Sequence, residues 1–107
     1  MKKKMGIGID QKVQEQIKEL AQKYAIEKII LFGSRARGDN SEKSDIDIAV
    51  YPMPEFQNIG RFTSDIDELN TLLKVDMVFI NKDTEAKLIH NISKEGVVIY
   101  ERPSAEV

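Results

Sequence analysis

The sequence predicts an α/β fold: a small mixed sheet of about four strands with helices packed on it. Three observations lead there. Val13, Ile17, Leu20 and Tyr24 recur at spacings of four, three and four, the period of a helix with one buried face. Short apolar runs at 28–32, 75–80 and 97–100 have the length and composition of buried strands. Residues 45–51 alternate, with Ile46, Ile48 and Val50 on one side and Asp45, Asp47 and Ala49 on the other.

Taken in order, Asp10 is placed to cap the first helix. The run Lys28 to Phe32 is a strand that Gly33 ends, a short helical turn covers Arg35–Arg37, and Gly38 to Lys43 is a polar loop. The alternating strand follows. Pro52 and Pro54 then bracket a loop. Ile59, Phe62, Ile66, Leu69 and Leu73 form the stripe of a second long helix. Val75 to Ile80 is the third strand. Thr84 to Glu95 is a helix with Ala86, Ile89 and Ser93 on one face, stopped by Gly96, and Val97 to Tyr100 is the last strand. The 107 residues form one domain, with 1–8 and 101–107 expected to be flexible.

Composition narrows the function. A chain this short buries roughly 60–70% of its unfolded surface, enough for one modest core but not for a deep enclosed active site of its own. Lys and Arg number 16 against 18 Asp and Glu, so no basic excess draws the protein to nucleic acid or an anionic membrane. There is no cysteine, which removes thiolate chemistry and disulfides and fits a cytoplasmic protein. Lys2-Lys3-Lys4 is not followed by the apolar run of a signal peptide. No stretch approaches the roughly 20 apolar residues that span a bilayer.

The chemistry concentrates in Gly33-Ser34-Arg35-Ala36-Arg37-Gly38 and Ser44-Asp45-Ile46-Asp47. Asp45 and Asp47, two apart on a strand, share a face and can serve the same cations. Two divalent ions about 3.5–4 Å apart clamp the attacking and departing oxygens of an in-line phosphoryl transfer, and magnesium takes carboxylate and phosphate oxygens. An isolated Asp-x-Asp is more often the polar face of a half-exposed strand. The turn upstream changes that balance. Gly33 allows close backbone approach to a phosphate, the Ser34 hydroxyl can hydrogen-bond one, and Arg35 and Arg37 can neutralise it. The copy Ser64-Asp65-Ile66-Asp67 lies within a helical stripe, where its acids diverge onto a solvated face. Asp76, at the start of an apolar strand, is either a strand opener or a third acid. His90, the single histidine, is read as structural or surface. The loop from Tyr51 to Phe56 is a candidate lip on the acceptor side or a contact for a partner.

These residues resemble the nucleotidyltransferase superfamily that includes DNA polymerase beta. Gly33-Ser34 is followed by ten residues and then Asp45-Ile46-Asp47. The longer pattern of the minimal nucleotidyltransferases, Gly-Ser-x-Ala-Arg-Gly, five residues, Ser-Asp-x-Asp-Leu, is matched at every fixed position but the last, where Ile48 replaces leucine. The resemblance implies a polymerase beta-like fold. It implies that Asp45 and Asp47 bind two magnesium ions, and that Asp76 completes one metal site and accepts the proton of the attacking hydroxyl. It implies that Gly33, Ser34, Arg35 and Arg37 hold the nucleotide, Arg37 being the better candidate of the two arginines because the pattern fixes it, with ATP as donor. It further implies an antitoxin paired with an adjacently encoded HEPN-domain protein, silenced by AMP placed on a tyrosine. Two alternatives stand beside this: transfer to a small-molecule hydroxyl such as an aminoglycoside, and a non-catalytic antitoxin that occludes its partner. Template-directed polymerisation is disfavoured by the missing mass and basic charge. An exposed sheet edge makes a homo-oligomer or hetero-complex reasonable.

Overall fold

The computed structural model describes residues 8–69 and 71–103. Helix α1 (Gln11–Lys23) leads into β1 (Ile26–Phe32), a single turn α2 (Ser34–Arg37) and β2 (Ile46–Pro52). Then come α3 (Ile59–Asp67), β3 (Val75–Phe79), α4 (Ala86–Glu95) and β4 (Val97–Glu101). The strands form one sheet in the order β3-β2-β1-β4. Strand β1 runs antiparallel to both β2 and β4, whereas β2 and β3 are parallel. A parallel pair needs a crossover, which α3 supplies.

The sheet is covered unevenly, and that unevenness positions the site. Ile46, Ile48 and Val50 point to the face packed by α1 and α3, where Val13, Ile17, Phe62 and Ile66 are buried. Phe62 is fully buried among Tyr24, Phe56 and Phe79, with ring centroids 5.5, 5.9 and 6.2 Å away. Burial of such a ring stabilises by about 2–3 kcal/mol. The opposite face carries a smaller cluster of Ile30, Ala49, Ile80 and Ile92, closed by α4. Asp47 and Ala49 both lie on that second face. Ala49 is buried, while Asp47, nearer the strand's start, is only half-buried.

Several expectations need correction. Asp10 occupies the N-cap position of α1, but its side chain makes no capping hydrogen bond. The buried face of α4 is Leu88, Ile89 and Ile92, not Ala86, Ile89 and Ser93, because Ala86 and Ser93 are exposed. Helix α3 stops at Asp67, before the end of its apolar stripe, and Leu72 is fully exposed. Asp65 is not simply solvated: it accepts a 2.6 Å hydrogen bond from the Tyr24 hydroxyl. The ends are tied more closely than expected. The Gly8 amide donates to the Arg35 carbonyl, and Glu101 is the last residue of β4. The Arg102 guanidinium donates to the carbonyls of Ile26, Ala21 and Gln22. The expected fraying of residues 1–7 and 104–107 lies outside the described residues.

Candidate active site

The site is built where β1 ends and β2 and β3 begin. In the parallel register Asp47 is the partner of Asp76, so the two carboxylates leave neighbouring strands on the same face. Asp45 immediately precedes β2 and is solvent-exposed. The Asp47 carboxyl is held above the usual carboxylate range. Burial contributes most, followed by the negative charges of Asp76 and Asp45, with Arg37 partly opposing them. Lys74 lies 3.4 Å from Asp76 in an exposed ion pair. Among the described residues, no three potential ligands converge closely enough to form a ready-made ion cage. The donors present are nevertheless all carboxylate oxygens that repel one another, the set that a hard divalent cation relieves.

The turn after β1 presses against this acid pair. Gly33 has φ 78° and ψ −160°, a combination that side chains other than glycine's rarely adopt. A Cβ there would sit 2.5 Å from Asp47 Oδ2. The chain therefore uses glycine both for its backbone angle and for the approach of Asp47. Gly33→Ala is expected to destabilise the fold by about 2 kcal/mol, read as a lower denaturation midpoint, and to displace the Asp47 side chain. An unchanged midpoint would contradict this account of the turn.

The two arginines of the turn part company. Arg37 is exposed and pairs with Asp39 and with Glu95, each at 3.1 Å. Arg35 departs from the expected phosphate-facing position. It is 6% exposed and turned into the loop between α2 and β2. Its Nε donates to the Ser44 carbonyl at 2.9 Å, and its Nη2 donates to the carbonyls of Ser41 and Glu42 at 3.2 and 3.1 Å. Its Nη1 donates to the Gly8 carbonyl. Arg35 thus holds the loop that delivers Asp45 and Asp47, with four of its five N–H donors committed to backbone carbonyls.

One residue near the turn was missed from sequence. Glu95, the last residue of α4, accepts a hydrogen bond from the Gly33 amide on Oε2 at 3.2 Å and one from Arg37 on Oε1. A signal was available: an acid in the last turn of a helix opposes the macrodipole. His90 is exposed on α4. The Tyr51–Phe56 segment is not a lip on this site. It follows the far end of β2, where Phe56 stacks on Phe79 with centroids 6.1 Å apart. A cleft of about 590 Å³ at that far end is lined by Lys23, Tyr24, Phe56 and Arg61, among others.

The family model described as Polymerase beta, Nucleotidyltransferase matches residues 15–105. A Methanocaldococcus jannaschii protein provisionally named a protein adenylyltransferase is 34% identical over 95 residues, 82% of this chain and 94% of that protein. A crystal structure of a toxin-antitoxin with AMP-PNP aligns at 25% identity with a TM-score of 0.62, covering 83% of this chain and 73% of the other. A structure of the tri-AMPylated Shewanella oneidensis HEPN toxin in complex with MNT antitoxin aligns with a TM-score of 0.58 at 22% identity, covering 88% and 74%, a likeness of fold. No helix among the described residues is long and apolar enough to cross a membrane.

Proposed function

This chain belongs to the Polymerase beta nucleotidyltransferase family, and from that premise we propose that it moves AMP from ATP to a tyrosine hydroxyl of a HEPN-domain partner and acts as its antitoxin. The observation that carries the reading is the parallel register of Asp47 and Asp76, at the open end of a sheet face and against the Gly33 turn. The similarity to a provisionally named protein adenylyltransferase favours a protein acceptor. The likeness to toxin-antitoxin structures favours the HEPN partner. With ATP as donor we expect the protein to act in the cytoplasm and its partner to be encoded next to it.

In this reading Asp45, Asp47 and Asp76 hold two magnesium ions, which when bound polarise the phosphate and neutralise developing charge. The Gly33 turn, the Ser34 hydroxyl and Arg37 bind the phosphate tail. The acceptor oxygen forms a bond to the α-phosphorus as the bond from that phosphorus to the β-phosphate bridging oxygen breaks. Pyrophosphate leaves, and the hydroxyl proton passes to Asp76.

Incubation of the protein with magnesium, α-labelled ATP and the HEPN-domain neighbour tests the proposal. The label is expected on the neighbour, at a tyrosine located by mass spectrometry, with none transferred from γ-labelled ATP. An unlabelled neighbour, together with neutralisation that persists without ATP, would point to occlusion instead.

A further inference from the structure

We propose that Glu95 is a built-in competitor for the nucleotide's phosphates. It holds the Gly33 amide and the Arg37 guanidinium until a phosphate tail displaces it. The inference rests on the nucleotide reading of the turn and adds an element to it.

Gly33 and Arg37 are separated by one helical turn, and Glu95 lies 62 and 58 residues away in the chain. One carboxylate serves both, with Oε2 on the amide at 3.2 Å and Oε1 on the guanidinium at 3.1 Å. Two oxygens of one anion on a backbone N–H and an arginine is also how a phosphoryl group is held. The carboxylate therefore has the charge and the oxygen pair of the ligand it excludes.

Its place in the fold makes it displaceable without moving the backbone. Glu95 ends α4, and the next residue, Gly96, is packed so tightly that a Cβ there would collide with the Ile30 side chain and the Ile92 carbonyl. The helix end is thus pinned to the sheet. The side chain is not: it is 24% exposed and can rotate into water. The helix itself gives no reason for an acid at this position, because the C-terminal end of the macrodipole disfavours one. The pairing with Gly33 and Arg37 supplies the reason. Arg37 also pairs with Asp39 and lies close enough to Asp47 to lower its proton affinity, so it stays within an acidic surround when Glu95 leaves.

Isothermal titration of ATP, with magnesium, into the wild-type protein and into Glu95→Ala is the test, with Glu95→Gln as the shape-conserving variant. Glu95→Ala is expected to tighten ATP binding by about three- to tenfold, in line with about 1.4 kcal/mol per tenfold. Glu95→Gln should do the same to a smaller extent. Tripolyphosphate should gain by the same factor, since the competition is at the phosphates and not at the base. Binding that is weaker or unchanged in both variants, with wild-type binding intact, overturns the inference: Glu95 would then be a support that orients Arg37. Failure of ATP and tripolyphosphate to bind any of the three proteins overturns the nucleotide reading of the turn, and the inference with it.

Discussion

Asp47→Asn is expected to abolish AMP transfer while making the protein harder to melt. The substitution removes a carboxylate proposed to hold magnesium. Loss of several kcal/mol of charge stabilisation corresponds to a rate loss of about a thousandfold or more. The stability effect has the opposite sign. Asp47 sits half-buried beside Asp76 and near Asp45, and its carboxyl is held above the ordinary range by burial first and by those two charges second. The folded state therefore binds this proton more tightly than the unfolded chain does. That contribution to stability is fully present below the unfolded-state value and is lost as pH rises through the folded-state value, so at neutral pH the ionised group opposes folding. Asparagine removes the charge and nearly keeps the shape. Partial exposure screens the effect, so the gain in melting temperature is about 2–4 °C at neutral pH and fades toward acid. Magnesium should raise the melting temperature of the wild type and leave the variant unmoved. Thermal melts across the acid-to-neutral range, with and without the ion, read all of this. A variant that melts lower than wild type at neutral pH in the absence of magnesium would contradict the electrostatic account.

Arg35→Met is expected to have the largest effect on folding. The side chain donates to the carbonyls of Gly8, Ser41, Glu42 and Ser44 from a position that is 6% exposed. Methionine matches much of its length but donates nothing, so those carbonyls lose a shared charged partner. The cost is about 3 kcal/mol, which in a domain of this size lowers the melting temperature by about 10–20 °C. Arg35→Lys should recover only a minor part, because one ammonium cannot reach carbonyls that a planar guanidinium spans. Calorimetry checks the magnitude. If Arg35→Lys instead melts like the wild type and binds ATP more weakly, the side chain faces the nucleotide rather than the loop.

That contrast shows what the sequence makes legible and what it hides. Periodicity located the elements: the alternation across Asp45 to Tyr51 became β2, and the isoleucine-rich run before Gly33 became β1. It also put Asp47 and Asp76 at strand starts, although their pairing needed the parallel register, which is a tertiary fact. Spacing alone could not separate Arg35 from Arg37. They are two apart on a helical turn and so point in different directions, and only the fold of the following loop decides which one is enclosed. The buried face of α4 falls on Leu88, Ile89 and Ile92 rather than on Ala86, Ile89 and Ser93: Ala86 opens the helix and is exposed, and Ser93 faces solvent as well. Glu95 stayed hidden because its partners lie some sixty residues away.

The acid pair and the aromatic cluster lie at opposite ends of the same sheet. The residues proposed for chemistry gather where β1 finishes and β2 starts. Phe56 and the cleft beside Tyr24 lie past the other end of those strands, five residues along β2 from Asp47 to Pro52, or about 17 Å. Substitutions at the exposed rim of the cleft, at Lys23 or Arg61, are therefore expected to leave the register of Asp47 against Asp76 undisturbed.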